Sequence, residues 1–192
     1  MTGLPLPEPP LEDGVVRVRG WRPDDLWARV EAWRDPSLMR FMLQPAPADP
    51  SVEEAAAWLA LRERRRRRGE ALFLVVAEAA DDRACGCVWL WNVDVAAGGG
   101  EVGYWLLREA RGRGLATRAV RLVSAYAFDR LRLERLELFT LPGNAASERV
   151  AERAGFRREG LLRAYRRAPS GRVDVTAFSL LASEVVVRTA EP

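Results

Sequence analysis

Arg111-Gly112-Arg113-Gly114-Leu115-Ala116-Thr117 lies between a strand-patterned run and a long amphipathic run, and its reading decides the fold. The first turn of a helix exposes backbone N–H groups with no internal partner, and the helix dipole adds partial positive charge there. Glycine lets the main chain approach a phosphate closely and adopt positive φ. A strand–turn–helix of this composition is therefore an anion site, strengthened by two flanking arginines. The physics alone does not choose the anion. A P-loop is excluded, because it needs Gly-Lys-Ser/Thr and the chain has no lysine. The dinucleotide fingerprint is excluded too: Thr117 stands where a third small residue is required, and the turn follows an antiparallel meander instead of opening a βαβ unit.

Immediately upstream, Glu101 to Leu107 reads as a strand; downstream, Gly112 to Arg130 reads as a helix with Leu115, Ala119, Leu122, Val123 and Tyr126 on one face. Farther back, Ala71–Ala79 and Ala84–Val93 form a strand pair turned at residues 80–83. Before them, Ser51-Val52-Glu53-Glu54 opens a helix that runs into Arg64–Arg68 and stops at Gly69. Val15–Gly20 alternates as a half-buried strand, and a helix begins at Asp24 or Asp25. On the other side of the turn come a strand at Arg135–Thr140, a short helix capped by Asn144 and closed by Gly155, and strands at Phe156–Arg166 and Arg172–Leu181. The order β-α-α-β-β-β-α-β-α-β-β predicts an α/β (α+β) fold, a mixed sheet with helices on both faces. Residues 1–13, proline-rich and acidic, are expected to form a loose lead-in, 14–184 a single domain, and 185–192 a tail.

Composition narrows the chemistry. The 192 residues are 48% apolar and 30% charged, as in a globular enzyme. There is no histidine, which removes Ser-His-Asp and Cys-His mechanisms. Cys85 and Cys87 are the only cysteines, and two thiols without imidazole cannot fill a tetrahedral shell, so no metal is expected. The longest apolar run, Ala71 to Ala77, is too short to cross a bilayer, and Leu4 to Pro10 has neither a basic region nor an apolar signal core. A cytoplasmic protein without a membrane partner is expected. The five arginines at 64–68 suit the C-terminal end of a helix dipole and face water, and with a net charge of only +3 they do not call for nucleic acid.

The run Arg-x-x-Gly-x-Ala at Arg111, Gly114 and Ala116 resembles the acetyl-CoA pyrophosphate motif of the GNAT superfamily of N-acetyltransferases. Three further segments resemble its RimJ/RimL branch, which acetylates N-terminal amines of ribosomal proteins: Glu101-Val102-Gly103-Tyr104-Trp105-Leu106, Gly143-Asn144-Ala145-Ala146-Ser147, and Gly155-Phe156-Arg157-Arg158-Glu159-Gly160. The resemblance is specific from about residue 99 to 181 and only topological before that. It implies a mostly antiparallel sheet of about seven strands and acetyl-CoA as cofactor.

It also implies roles. The backbone of Trp105, Leu106 and Leu107 would pair with the pantetheine arm, with a bulge near Leu107 aiming an N–H at the thioester carbonyl. Arg111, Gly112, Arg113, Gly114, Leu115, Ala116 and Thr117 would cradle the pyrophosphate. Asn144 would hydrogen-bond the pantetheine, although capping alone explains it equally well. Ser147 would help to protonate the leaving thiolate. The chain departs from the family where many members carry a general-acid tyrosine, here Ala151, and where some RimL-like proteins carry a glutamate, here Arg166. The base is then to be sought among Glu101, Asp174 and Glu159, with Glu101 the candidate.

Acceptor recognition is expected from Arg34–Pro50 and from Trp89 and Trp91, which share a strand face and otherwise pack against a helix. Arg166 would suit an anion on the acceptor. The acceptor is expected to bear a primary amine, on a peptide N-terminus or a small molecule, with a homodimer left open. Use of another acyl-CoA or a hydroxyl acceptor, or a non-catalytic CoA- or nucleic-acid-binding module, are the alternative readings.

Overall fold

The computed structural model describes residues 3–185, so nearly all of the tail expected at 185–192 lies outside the described residues. The chain runs β1 (Leu11–Glu12), β2 (Val16–Arg19), α1 (Leu26–Arg34), α2 (Pro36–Met39), α3 (Val52–Arg67), β3 (Leu72–Glu78), β4 (Ala84–Asp94), β5 (Gly99–Leu106), α4 (Leu115–Asp129), β6 (Arg135–Thr140), α5 (Ala145–Ala154), β7 (Arg157–Ala168) and β8 (Gly171–Leu181). Among the described residues these strands form one sheet of eight in the order β1-β2-β3-β4-β5-β6-β8-β7. Every neighbouring pair is antiparallel except β5 and β6.

Strand alternation divides the core in two. Leu72, Leu74 and Val76 of β3 face α4, whose Ala119, Val120 and Val123 are fully buried against them. Phe73, Val75 and Ala77 face the opposite way, toward Ala28 and Ala32 of α1 and Trp58 of α3. Each fully buried leucine or valine contributes about 1.5–3 kcal/mol, so both faces need their helices. No described helix is long and apolar enough to cross a membrane.

The eighth strand corrects the expected loose lead-in. Leu11 and Glu12 pair with Val18 and Arg17, Leu4 is buried between α3 and α4, and the Tyr126 hydroxyl donates to the Pro5 carbonyl at 2.9 Å. A strand of two residues leaves no periodicity to read, and prolines in an extended segment do not prevent docking.

Ser51 caps α3 by accepting from the Glu54 amide at 3.2 Å. The arginines at its far end are matched by acids: Arg66 and Arg67 by Glu63, Arg65 and Arg68 by Glu70. Helix α1 is fixed to the sheet by a buried ion pair, Arg19 Nη1 to Asp25 Oδ2 at 2.7 Å, which Asp82 completes from the β3–β4 turn at 2.8 Å.

Candidate active site

The parallel pairing of β5 with β6 covers only Gly99↔Arg135, Gly100↔Leu136 and Glu101↔Glu137. Beyond it the strands part. A cleft of about 750 Å³ fills the space, lined by Val102–Leu106 on one side and Leu138–Leu141 on the other. Strand β5 therefore presents an unpaired edge to the cleft.

Register decides which amides lie on that edge. The Leu107 N–H donates to the Cys85 carbonyl at 2.9 Å, and Trp105 is paired with Cys87. Backbone groups of alternate residues point the same way, so Trp105 and Leu107 are committed to β4, while the main-chain groups of Tyr104 and Leu106 face the gap. This corrects the expectation for Leu107: its N–H is spent, and pairing with β4 is regular from Glu101 to Leu106, with no bulge there. The Trp105 side chain is core, 2% exposed.

At the turn, Gly112 and Gly114 have φ of 75° and 79°, and a Cβ on either would meet no atom within 4 Å. Leu115 and Ala116 bury their side chains, leaving the amides at the start of α4, up to Thr117, facing outward. The two arginines were expected to strengthen this anion site, yet both are engaged elsewhere. Arg113 is paired with Glu78, Nη1 to Oε1 at 2.8 Å. Arg111 holds the Leu106 carbonyl through Nε at 3.0 Å and reaches Asp35 on the α1–α2 link at 2.6 Å. Burial pushes the Asp35 carboxyl up, but hydrogen bonds from Ser37 and Arg111 outweigh it and hold it well below the usual carboxylate range. What the turn offers an anion is backbone, open space and a helix dipole.

Across the gap, the Asn144 side chain caps α5 by accepting from the Ser147 amide at 3.2 Å. Ser147 in turn accepts a hydrogen bond of 3.1 Å from the Tyr104 hydroxyl. Burial pushes the Tyr104 phenol up, and the Ser147 contact offsets this only in part, so Tyr104 stays a proton donor. The sequence reading passed over Tyr104, although it stands in a quoted segment; an alternate residue facing a β5 edge was the available signal.

Glu101 lies on the opposite face of β5, across from Trp91. It is ion-paired with Arg166. Burial pushes its carboxyl above the ordinary range, and Arg166 reverses only part of that rise. Arg166, expected to await an anionic acceptor, is thus already engaged. The other acids are engaged too: Glu159 with Arg135 and Ser179, Asp174 with the Ala164 amide at 2.7 Å.

Trp89 and Trp91 both line the cleft, and Trp91 also packs against α3, with the Arg65 guanidinium 4.5 Å from its ring centroid. Trp89 stacks on Phe73 at 5.6 Å, which meets Trp58 edge-on at 5.7 Å. The Trp89 indole lies across Gly103, where a Cβ would overlap it. Leu38, Phe41, Met42, Leu43 and Gln44, from the Arg34–Pro50 segment, close this aromatic side.

The open turn at Gly112 and Gly114 thus follows directly on the unpaired edge of β5. A family model described as an acetyltransferase (GNAT) domain matches residues 16–157. The N-acetyltransferase p20 of Bacillus licheniformis, described as uncharacterised, is 31% identical over 169 residues, 88% of this chain and 94% of that protein. YjcK of Bacillus subtilis, described as a probable N-acetyltransferase, is 39% identical over 102 residues, 53% of this chain and 56% of that protein. The chain thus spans little more than half the length of some of the curated relatives it matches. RimJ of Mycobacterium smegmatis, solved in complex with CoA-disulfide, superposes with a TM-score of 0.81 at 25% identity, covering 96% of this chain and 89% of that one. Acetyltransferases of this family use acetyl-CoA. With a family model matched over most of its length and a fold in which β5 and β6 part after Glu101, the chain belongs to the GNAT acetyltransferases.

Proposed function

We propose that this protein transfers the acetyl group of acetyl-CoA to a primary amine, on a peptide N-terminus or a small molecule. The observation that carries the reading is the parting of β5 and β6 after Glu101, which opens a strand edge directly beside the N-terminus of α4. Amides of Gly112 to Thr117 hold the diphosphate, and the main chain of Tyr104 holds the extended arm. Asn144 supports the arm from α5 while capping that helix.

Bound acetyl-CoA supplies an activated acetyl group, whose carbonyl carbon bonds to the amine nitrogen as the C–S bond breaks. Glu101, on the aromatic side of the gap, accepts the proton that the ammonium loses; burial raises its pKa, which makes it a stronger base than a free carboxylate. The Leu106 N–H is the gap-facing donor for developing negative charge on the carbonyl oxygen. On the opposite side, Ser147 gives its proton to the leaving sulfur and recovers one from Tyr104, which solvent reprotonates, while the second proton of the acylated nitrogen leaves to solvent. Base and acid thus sit on opposite faces of one strand, Glu101 and Tyr104, where they cannot neutralise each other.

The test is release of CoA thiol from acetyl-CoA against a panel of N-terminal peptides, polyamines, amino acids and aminoglycosides. Turnover with one amine class supports the reading. A folded protein that gives no heat on titration with CoA overturns it.

A further inference from the structure

Two arginines in the aromatic half of the cleft lack any carboxylate partner. Arg29 on α1 is 4% exposed and Arg62 on α3 is 9% exposed, and both line the cleft. Among the described residues, no acid lies within ion-pair distance of either. Nε and Nη1 of Arg29 and Nε of Arg62 are buried without a hydrogen-bond acceptor, and Arg62 Nη2 has only the Gln44 amide oxygen at 3.0 Å.

Aromatic rings support them instead. The Arg29 guanidinium lies 4.3 Å from the Trp33 ring centroid and 4.9 Å from that of Trp58, while Arg62 lies 5.0 Å from Trp58 and 5.5 Å from Phe73. Such contacts favour a cation but leave its N–H groups unsatisfied. Arginine cannot shed its charge in a protein interior as lysine can. Elsewhere the chain matches its buried charges: Arg19 has Asp25 and Asp82, and Asp35 has Arg111. Burial lowers the Arg29 pKa to about 10, which still leaves it cationic at neutral pH.

We infer that Arg29 and Arg62 form an anion subsite for the acceptor, so that the preferred amine carries a carboxylate or phosphate beside an aromatic or apolar group. The inference rests on the acetyltransferase reading for the chemistry at the amine, but the anion subsite is measurable by binding alone. Trp89, Trp91 and Phe73 provide the apolar surface, and two guanidinium forks provide donors to anionic oxygen. The diphosphate of CoA has its own cradle on α4, so the two anion sites serve different molecules.

The experiment uses matched amines that differ by one anionic group: tryptophan against tryptamine for carboxylate, and phosphoethanolamine against ethanolamine for phosphate. Each is titrated calorimetrically into CoA-loaded protein and assayed for thiol release. Tighter binding of the anionic member of at least one pair, by roughly thirtyfold, is expected, and the responding pair distinguishes carboxylate from phosphate. In Arg29→Met and Arg62→Met the preference should collapse while CoA binding persists. The same variants should melt no lower than the wild type without acceptor, because an uncompensated buried charge has been removed. Equal binding within both pairs overturns the inference, as does an undiminished anion preference in the folded double variant. Failure of the wild type to bind CoA would instead count against the acetyltransferase reading, and the amine titrations in its absence still report on the subsite.

Discussion

Tyr104 and Ser147, on β5 and α5, are joined across the mouth of the cleft by a hydrogen bond of 3.1 Å from phenol to hydroxyl. It ties β5 to α5 across the cleft, and it places a protonated phenol behind the hydroxyl proposed to serve the sulfur. Ser147→Ala should lower kcat by roughly a hundredfold, the scale of a lost general acid. Tyr104→Phe, which keeps the ring and removes one hydrogen bond, should lower it by about tenfold. Neither should change CoA affinity much. Steady-state kinetics with calorimetry in parallel would check this, and full activity in both variants would remove the relay.

Glu101 titrates above the ordinary carboxylate range because burial outweighs Arg166. As a base it works only when ionised, so kcat/KM should rise with pH through that raised pKa. Glu101→Gln should abolish this limb, with the same acceptor used throughout so that the amine's own titration cancels. Arg166→Met removes the cation that lowers the pKa, so the limb should move to higher pH. A limb that moves lower, or one unchanged in Glu101→Gln, would assign the base elsewhere.

Gly114 has room for a side chain and a positive φ of 79°. Aspartate tolerates that conformation better than most residues, and its charge suits a helix N-terminus. Gly114→Asp should therefore melt near the wild type while weakening CoA by roughly tenfold to a hundredfold through repulsion of the diphosphate. Thermal denaturation and CoA titration on the same preparation would separate the two effects.

Gly103 is constrained by the Trp89 ring above it. Gly103→Ala should displace the indole, lower stability by about 1–3 kcal/mol, and raise the acceptor KM with CoA binding retained. Because one overlap causes the loss, Gly103→Ala with Trp89→Ala should be less damaging than the sum of the single changes. Additive losses would show that the two residues act independently.

Much of this was written locally. The Arg111–Thr117 turn, the Ser51 and Asn144 caps, the glycine stop at Gly155 and the strand runs of β3, β4 and β8 depend on neighbours a few residues away, and the sequence reading placed them within a few positions. The two-residue strand β1 escaped because its pairing partner, not its own pattern, defines it.

Side-chain partners could not be read in the same way. Arg166 looked available to a substrate and proved to be held by Glu101, 65 positions away in sequence; Arg111 looked aimed at phosphate and proved to be held by Asp35, 76 away. Arg29 and Arg62 carry no local signal in the sequence, and both are buried without counter-ions among the described residues. The gap-facing amide moved from Leu107 to Leu106, since strand register sends adjacent main-chain groups to opposite edges. The sequence by itself determined the element order, the caps and the glycine turn before α4, because turns, caps and periodicity are short-range, and its motifs carried the resemblance to the GNAT family. Only the tertiary structure decided which charges are spent and which remain for a ligand, because Coulomb energy and desolvation depend on distances that chain folding alone sets.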